Sequence, residues 1–186
     1  MTRNIVPHTF LVIFLLSFSN FNHAQANWDP AKDGDKIILI RHSKAPGFGD
    51  PPGFRIKDCK TQRNLSKEGI EQSKKIGKLF QKNQIKIDQV LRSQWCRCKD
   101  TAKYAFKNFE EFQALNSTFQ PPHDKNAKKQ IKELKDFIQK WNGKGGNLVL
   151  VTHYVIIVAL TDVAPRSGEI VIIDKNFNTL STILTN

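Results

Sequence analysis

Residues 36–42 read KIILIRH and residues 147–153 read NLVLVTH. Each is a short, continuous apolar run rich in β-branched side chains, closed by one polar or charged residue and then a histidine. Continuous rather than alternating hydrophobicity leaves no face for water, so each run predicts a strand buried on both sides, as the centre of a parallel sheet requires. A third, weaker run, Ile87–Leu91 (IDQVL), stops just before Arg92-Ser93-Gln94-Trp95-Cys96-Arg97. From Asn27 onward such runs alternate with amphipathic stretches, and no internal repeat or low-complexity segment interrupts them. That alternation predicts an α/β fold, a three-layer αβα sandwich around a mostly parallel central sheet. Gly168–Ile173 and Thr179–Leu184 read as a closing hairpin or edge pair across Asp174–Asn178.

The stretches between are helical. Ser66 is placed to cap a helix that carries Glu68 in its first turn and Ile70, Ile76 and Phe80 on one face. Ala127, Ile131, Leu134, Ile138 and Trp141 form a one-face stripe ended by Asn142-Gly143. The segment from Ser43 to Leu65 holds Pro46, Gly47, Gly49, Pro51, Pro52 and Gly53, too many breakers for regular structure. A loop of that length in a compact domain is usually functional.

In a parallel α/β sheet, residues just past the carboxyl ends of the strands gather at one rim, and ligands bind there. His42 and His153 hold equivalent positions past two predicted strands, so their imidazoles are expected to meet. Arg41 stands beside His42. Arg97 lies past the third run, at the start of the following helix, where free N–H groups favour anions. Two imidazoles and two guanidinium groups around one cleft describe a site for a doubly charged oxyanion, with phosphate the commonest candidate. Histidine, with an ordinary pKa of about 6.5, can act as a nucleophile when neutral and as a charge donor when protonated.

The whole chain has 186 residues, 29 of them Lys or Arg against 17 Asp or Glu, a formal charge of +12 at an apolar fraction of 39%. This composition excludes a disordered tail and a collagen-like fibre. Residues 1–26 read as an export signal: Arg3, the nine-residue run Phe10–Phe18, then Ala24-Gln25-Ala26 as a cleavage site. Residues 27–186 then form one domain of ordinary size carrying net +11, since Arg3 is the only charge removed. No run is long enough to span a bilayer as a helix. The lysines sit mostly at polar helical positions, and with no zinc-finger spacing or aromatic interleaving, nucleic-acid binding would rest on charge alone. An anionic substrate or envelope surface uses the same charge. Outside the cytoplasm, Cys59 is expected to pair with Cys96 or Cys98, leaving one thiol. No Cys and His spacing suits zinc. Gly143-Lys144-Gly145-Gly146 lacks the ending of a Walker loop and reads as a turn; His123 reads as a surface residue and Trp95 as a core residue.

Four motifs now stand in order: Arg41-His42 after the first strand, Leu65-Ser66-Lys67-Glu68-Gly69 opening the first helix, Ser93-x-x-x-Arg97-x-x-x-Thr101-Ala102, and Thr152-His153 after a late strand. Together they resemble the histidine phosphatase superfamily, the phosphoglycerate-mutase-like proteins, over nearly all of the chain from Asn27. The signal and the size make it most similar to small exported members such as the lipopolysaccharide core heptose phosphatase. The resemblance implies a covalent, metal-independent and cofactor-free mechanism: His42 attacks phosphorus, Arg41, Arg97 and His153 hold the phosphoryl oxygens, and water releases phosphate. For the proton donor the chain departs from the phosphoglycerate mutases, which carry a glutamate after the Thr-Ala helix. Leu115-Asn116-Ser117-Thr118 has no acid, and Tyr154 rather than aspartate follows His153. Asp50 is the first candidate and Glu110 the second, while Arg63 is a candidate substrate contact or a structural ion-pair partner. The expectation is an exported phosphatase, periplasmic or secreted, acting on a small phosphomonoester, envelope phosphate esters included. Its rival is an anion-binding protein of the same fold that does not turn over.

Overall fold

The computed structural model describes residues 27–143 and 145–185, so the export-signal reading lies outside the described residues. One sheet of six strands organises the described residues: β1 (Ile37–Arg41), β2 (Ile87–Arg92), β3 (Glu110–Glu111), β4 (Asn147–Thr152), β5 (Ile170–Ile173) and β6 (Thr179–Ile183). The spatial order is β3-β2-β4-β1-β5-β6. From β3 to β1 all neighbours are parallel, and β5 and β6 close the other edge as an antiparallel hairpin. The continuous apolar runs are therefore central and buried on both faces: all of Ile37–Ile40 and Leu148–Val151 are fully buried.

Alternate residues of each strand feed two separate cores. Ile38, Ile40, Val149 and Val151 meet α1 (Asp29–Lys32), α2 (Lys67–Lys82) and α3 (Cys96–Ala105) through Trp28, Ile76, Phe80 and Ala102. On the opposite face Ile37, Leu39, Leu148 and Leu150 meet α4 (Ala127–Lys140) and α5 (Tyr154–Thr161) through Leu134, Ile138, Ile156 and Leu160. This is the three-layer αβα arrangement that the alternation predicts. Among the described residues no helix is long and apolar enough to cross a membrane.

Two details fix the site's frame. Ser66 caps α2, its Oγ accepting from Gly69 N–H at 3.2 Å, and its own N–H donates to Lys44 O at 3.0 Å. A Cβ on Gly69 would lie 2.1 Å from that same Lys44 oxygen, so only glycine lets α2 begin against the chain just past His42. The strands also run one residue further than the apolar pattern suggests. Arg41, Arg92 and Thr152 end β1, β2 and β4, and His42, Ser93 and His153 are the first residues beyond them.

Candidate active site

His42 N–H donates to Thr152 O at 2.9 Å, continuing the β1–β4 ladder one step past the sheet and bringing both histidines to the same rim. Their ring centroids are 5.5 Å apart, at an interplanar angle of 67°. The backbone of Ser43 is held in turn by α3: Ser43 N–H donates to Thr101 Oγ1 at 3.0 Å, and Thr101 Oγ1 donates to Arg97 O at 2.7 Å. Thr101 of the Thr-Ala motif is thus a strut between the segment that carries His42 and the helix that carries Arg97.

The neighbours of each imidazole assign its tautomer. His42 Nδ1 lies 2.9 Å from Ser43 O, and a carbonyl can only accept, so the proton sits on Nδ1 and the Nε2 lone pair is free. Burial, and then the charge of Arg97, hold its pKa well below the usual histidine value, so the ring is neutral at neutral pH. His153 has the opposite arrangement. Its Nδ1 faces Arg97 Nη2 at 3.5 Å and must accept, so Nε2–H donates to Ser93 Oγ at 2.8 Å. Ser93 passes the chain on to Asn116 Oδ1 at 3.1 Å. Burial and Arg97 also hold His153 neutral.

The arginines converge with them on a cavity of about 340 Å³, lined by Arg41, His42, Asp50, Arg63, Arg97 and His153 among others. Arg97 is 3% exposed and reaches the cavity from the first turn of α3. Its Nη1 and Nη2 donate to Asp50 Oδ1 and Oδ2 at 2.7 and 3.1 Å. Arg41 Nη1 donates to Pro165 O at 2.8 Å, and its guanidinium lies 5.4 Å from the centroid of the Tyr154 ring. The buried Nε atoms of Arg41 and Arg97 have no hydrogen-bond partner among the described residues. Arg63 donates through Nε to Gly49 O at 2.6 Å and through Nη1 to Ala45 O. It clamps the loop that carries Asp50 while lining the cavity. Three arginines and one carboxylate around two neutral imidazoles give the cavity a charge of about +2, matched to a phosphate dianion.

The two candidate acids part company. Asp50 is in the cavity: its carboxylate takes Arg97, Trp95 Nε1–H at 2.9 Å and Arg63 N–H at 3.2 Å. Burial pushes its pKa up, but the hydrogen bonds and charge of Arg97, with those from Trp95 and Arg63, outweigh it and keep the carboxyl below the usual range. Glu110 is not in the cavity, which corrects its candidacy as donor. It pairs with Leu91 at the outer edge of the sheet, is exposed, and lines a different cleft with Phe80, Gln84 and Phe109. The disulfide is Cys59–Cys96, joining the breaker-rich loop to the first residue of α3. Cys98 is free and buried, 3.5 Å from His153 Nε2, and burial pushes its thiol up to about 12, which makes it a poor nucleophile.

Several residues in or beside the site have no functional reading in the sequence. Asn116, from the acid-free segment, anchors the Ser93–His153 chain. His123 is half-buried rather than superficial, 5.0 Å from the Trp95 ring, which in turn is 5.3 Å from His153. Phe48, Phe119 and Tyr154 border the cavity mouth. No periodic pattern marks these positions, because they lie in loops or at a helix start.

No protein-family model matches the chain, and no curated protein matches it in sequence. Solved structures do. The protein histidine phosphatase SixA complexed with tungstate is 15% identical with a TM-score of 0.57, over 81% of this chain and 97% of that one. A candidate phosphohistidine phosphatase SixA from Agrobacterium tumefaciens is 16% identical with a TM-score of 0.55, over 81% and 98%. A candidate α-ribazole-5′-P phosphatase from Escherichia coli is 14% identical with a TM-score of 0.57, over 82% and 97%. These neighbours are histidine phosphatase superfamily members, and at this identity the likeness is one of fold. The chain has the phosphoglycerate-mutase-like α/β fold.

Proposed function

We propose that this protein is an exported phosphatase that hydrolyses phosphomonoesters through a phosphohistidine on His42. The observation that carries this reading is the Nδ1 contact of His42 to Ser43 O, which aims an unprotonated Nε2 into a cavity of about +2 charge. In the first step the Nε2 lone pair bonds to phosphorus and the ester P–O bond breaks. Arg41 and Arg97 face the oxygens on which charge is carried, and His153, whose Nε2–H is held by Ser93, joins them as a donor once its Nδ1 takes up a proton beside the dianion. In the second step water attacks phosphorus, the N–P bond breaks, and inorganic phosphate leaves. Tungstate, the tetrahedral oxyanion bound by the SixA neighbour, is the kind of ligand this charge arrangement suits.

Asp50 is the proton donor in this scheme. Paired with Arg97 it is ionised, but a phosphoryl group that takes Arg97 removes that partner. A carboxylate left buried without its cation gains a proton readily, and the proton then passes to the leaving oxygen. The narrower placement beside the exported heptose phosphatase rests on the signal and the size alone, since the three neighbours above include no such enzyme.

The test is hydrolysis of an aryl phosphate, whose good leaving group needs little help from an acid. Wild-type protein turns it over and His42→Ala does not, while both share one circular-dichroism spectrum. Full activity in the variant refutes the assignment of the nucleophile. Phosphate binding without turnover of any ester by the wild type favours the non-catalytic binding protein instead.

A further inference from the structure

Beyond the phosphoryl group, the mouth of the cavity has an unusual chemistry. Six large hydrophobic side chains are exposed among the described residues, and three of them border this one opening: Phe48 at 86%, Phe119 at 45% and Tyr154 at 41%. Large apolar side chains gathered at one site rather than scattered mark a surface that meets a ligand. Phe48 and Phe119 come from different segments, yet their rings pack edge to face with centroids 4.9 Å apart. Their positions are built. Gln120, next to Phe119, accepts from Asp50 N–H through Oε1 at 2.9 Å and donates to Asp50 O through Nε2 at 3.4 Å, so the two rim segments are laced together.

The same lacing takes up part of the hydrogen-bonding capacity that a polyhydroxyl ligand would use. The Gln120 amide is committed at both ends to the Asp50 backbone. Ser117 Oγ accepts from Phe119 N–H at 3.3 Å. Arg63 is committed to the carbonyls of Gly49 and Ala45. Tyr154 turns its ring toward Arg41. A site that discriminates sugars presents a polar group to each hydroxyl, whereas the most exposed side chains of this mouth are aromatic rings.

We propose that the site selects phosphomonoesters whose alcohol carries an aromatic ring, the ring lying against Phe48, Phe119 and Tyr154 while the phosphoryl group sits among the arginines. This rests on the phosphatase reading and gives it a substrate class. Phe48 and Phe119 are its specificity determinants.

The test compares benzyl phosphate with glucose 6-phosphate. Both are monoesters of primary alcohols, so the bond to be broken is alike and only the rest of the alcohol differs. Wild-type kcat/KM is expected to favour benzyl phosphate by tenfold or more, and Phe48→Ala and Phe119→Ala are each expected to cut that ratio about three- to tenfold. Phe48 is so exposed that its replacement does not threaten the fold. Equal kcat/KM for the two esters, or a ratio that neither variant moves, overturns the inference while competitive inhibition by inorganic phosphate leaves the phosphatase reading standing. A wild-type protein that neither binds inorganic phosphate nor turns over either ester overturns both.

Discussion

In the proposed mechanism Ser43 supplies no catalytic side chain, yet its carbonyl sets which nitrogen of His42 is free to attack, because it takes the Nδ1 proton. Asp50 is the residue where competing effects have to be weighed. Its pairing with Arg97 opposes anion binding, since carboxylate and phosphate want the same guanidinium, while its burial is what would let it act as the proposed proton donor once that pairing is lost. Asp50→Asn removes the competitor and the acid together. We therefore expect inorganic phosphate to bind the variant several-fold more tightly, by calorimetric titration, and turnover of an alkyl phosphate to fall by about 10²-fold with little change on an aryl phosphate. Unchanged phosphate affinity would show that Asp50 does not contest the anion site. Asp50 is legible in the sequence only as an acid in a breaker-rich loop; its ion pair depends on a residue 47 positions away and leaves no local pattern.

At the scale of elements, the loop from Ser43 to Leu65 and helix α3 act as one unit. The Cys59–Cys96 disulfide joins them, and Gln62 reinforces the joint, its Oε1 accepting from Cys96 N–H at 3.0 Å. Sequence spacing leaves Cys96 and Cys98 equivalent as partners for Cys59. The helix separates them, because residues two apart point about 200° away from each other. Cys96 faces the loop and Cys98 faces Thr152 and His153. Closing a loop of 37 residues is worth roughly 4 kcal/mol. Cys59→Ser with Cys96→Ser is expected to lose up to about that much stability in urea unfolding. It should also weaken phosphate binding, since Asp50, Arg63 and Arg97 ride on the two joined segments. An unchanged unfolding midpoint would contradict this. The strands are the most legible elements, for burial on both faces writes itself into the sequence as continuous apolar runs. Glu110 misleads because a two-residue edge strand has no period to read, and its carboxylate lines an outer cleft with Phe80, Gln84 and Phe109 instead of the cavity.

Over the whole molecule, the sheet order places β1 beside β4 and so makes neighbours of two histidines 111 residues apart in the chain. Housing both rings neutral beside Arg97 has a consequence for stability. Both folded pKa values lie well below 6.5, so as pH falls through about 6.5 the unfolded chain takes up protons that the native state refuses. This contribution is fully present above the ordinary histidine pKa. It is lost toward the depressed folded values, by about 1.4 kcal/mol per pH unit for each ring. Unfolding midpoints are expected to drop between pH 7 and pH 5, and His42→Ala should flatten the dependence; a midpoint constant over that range would contradict the neutral, buried pair. The most direct test of the account as a whole is to quench turnover of an aryl phosphate and map the trapped phosphoryl group by peptide mass spectrometry under alkaline conditions that preserve phosphohistidine. The account predicts the adduct on His42 and none in His42→Ala, whereas a phosphoryl group on His153 or Cys98, or steady turnover by His42→Ala, would contradict it.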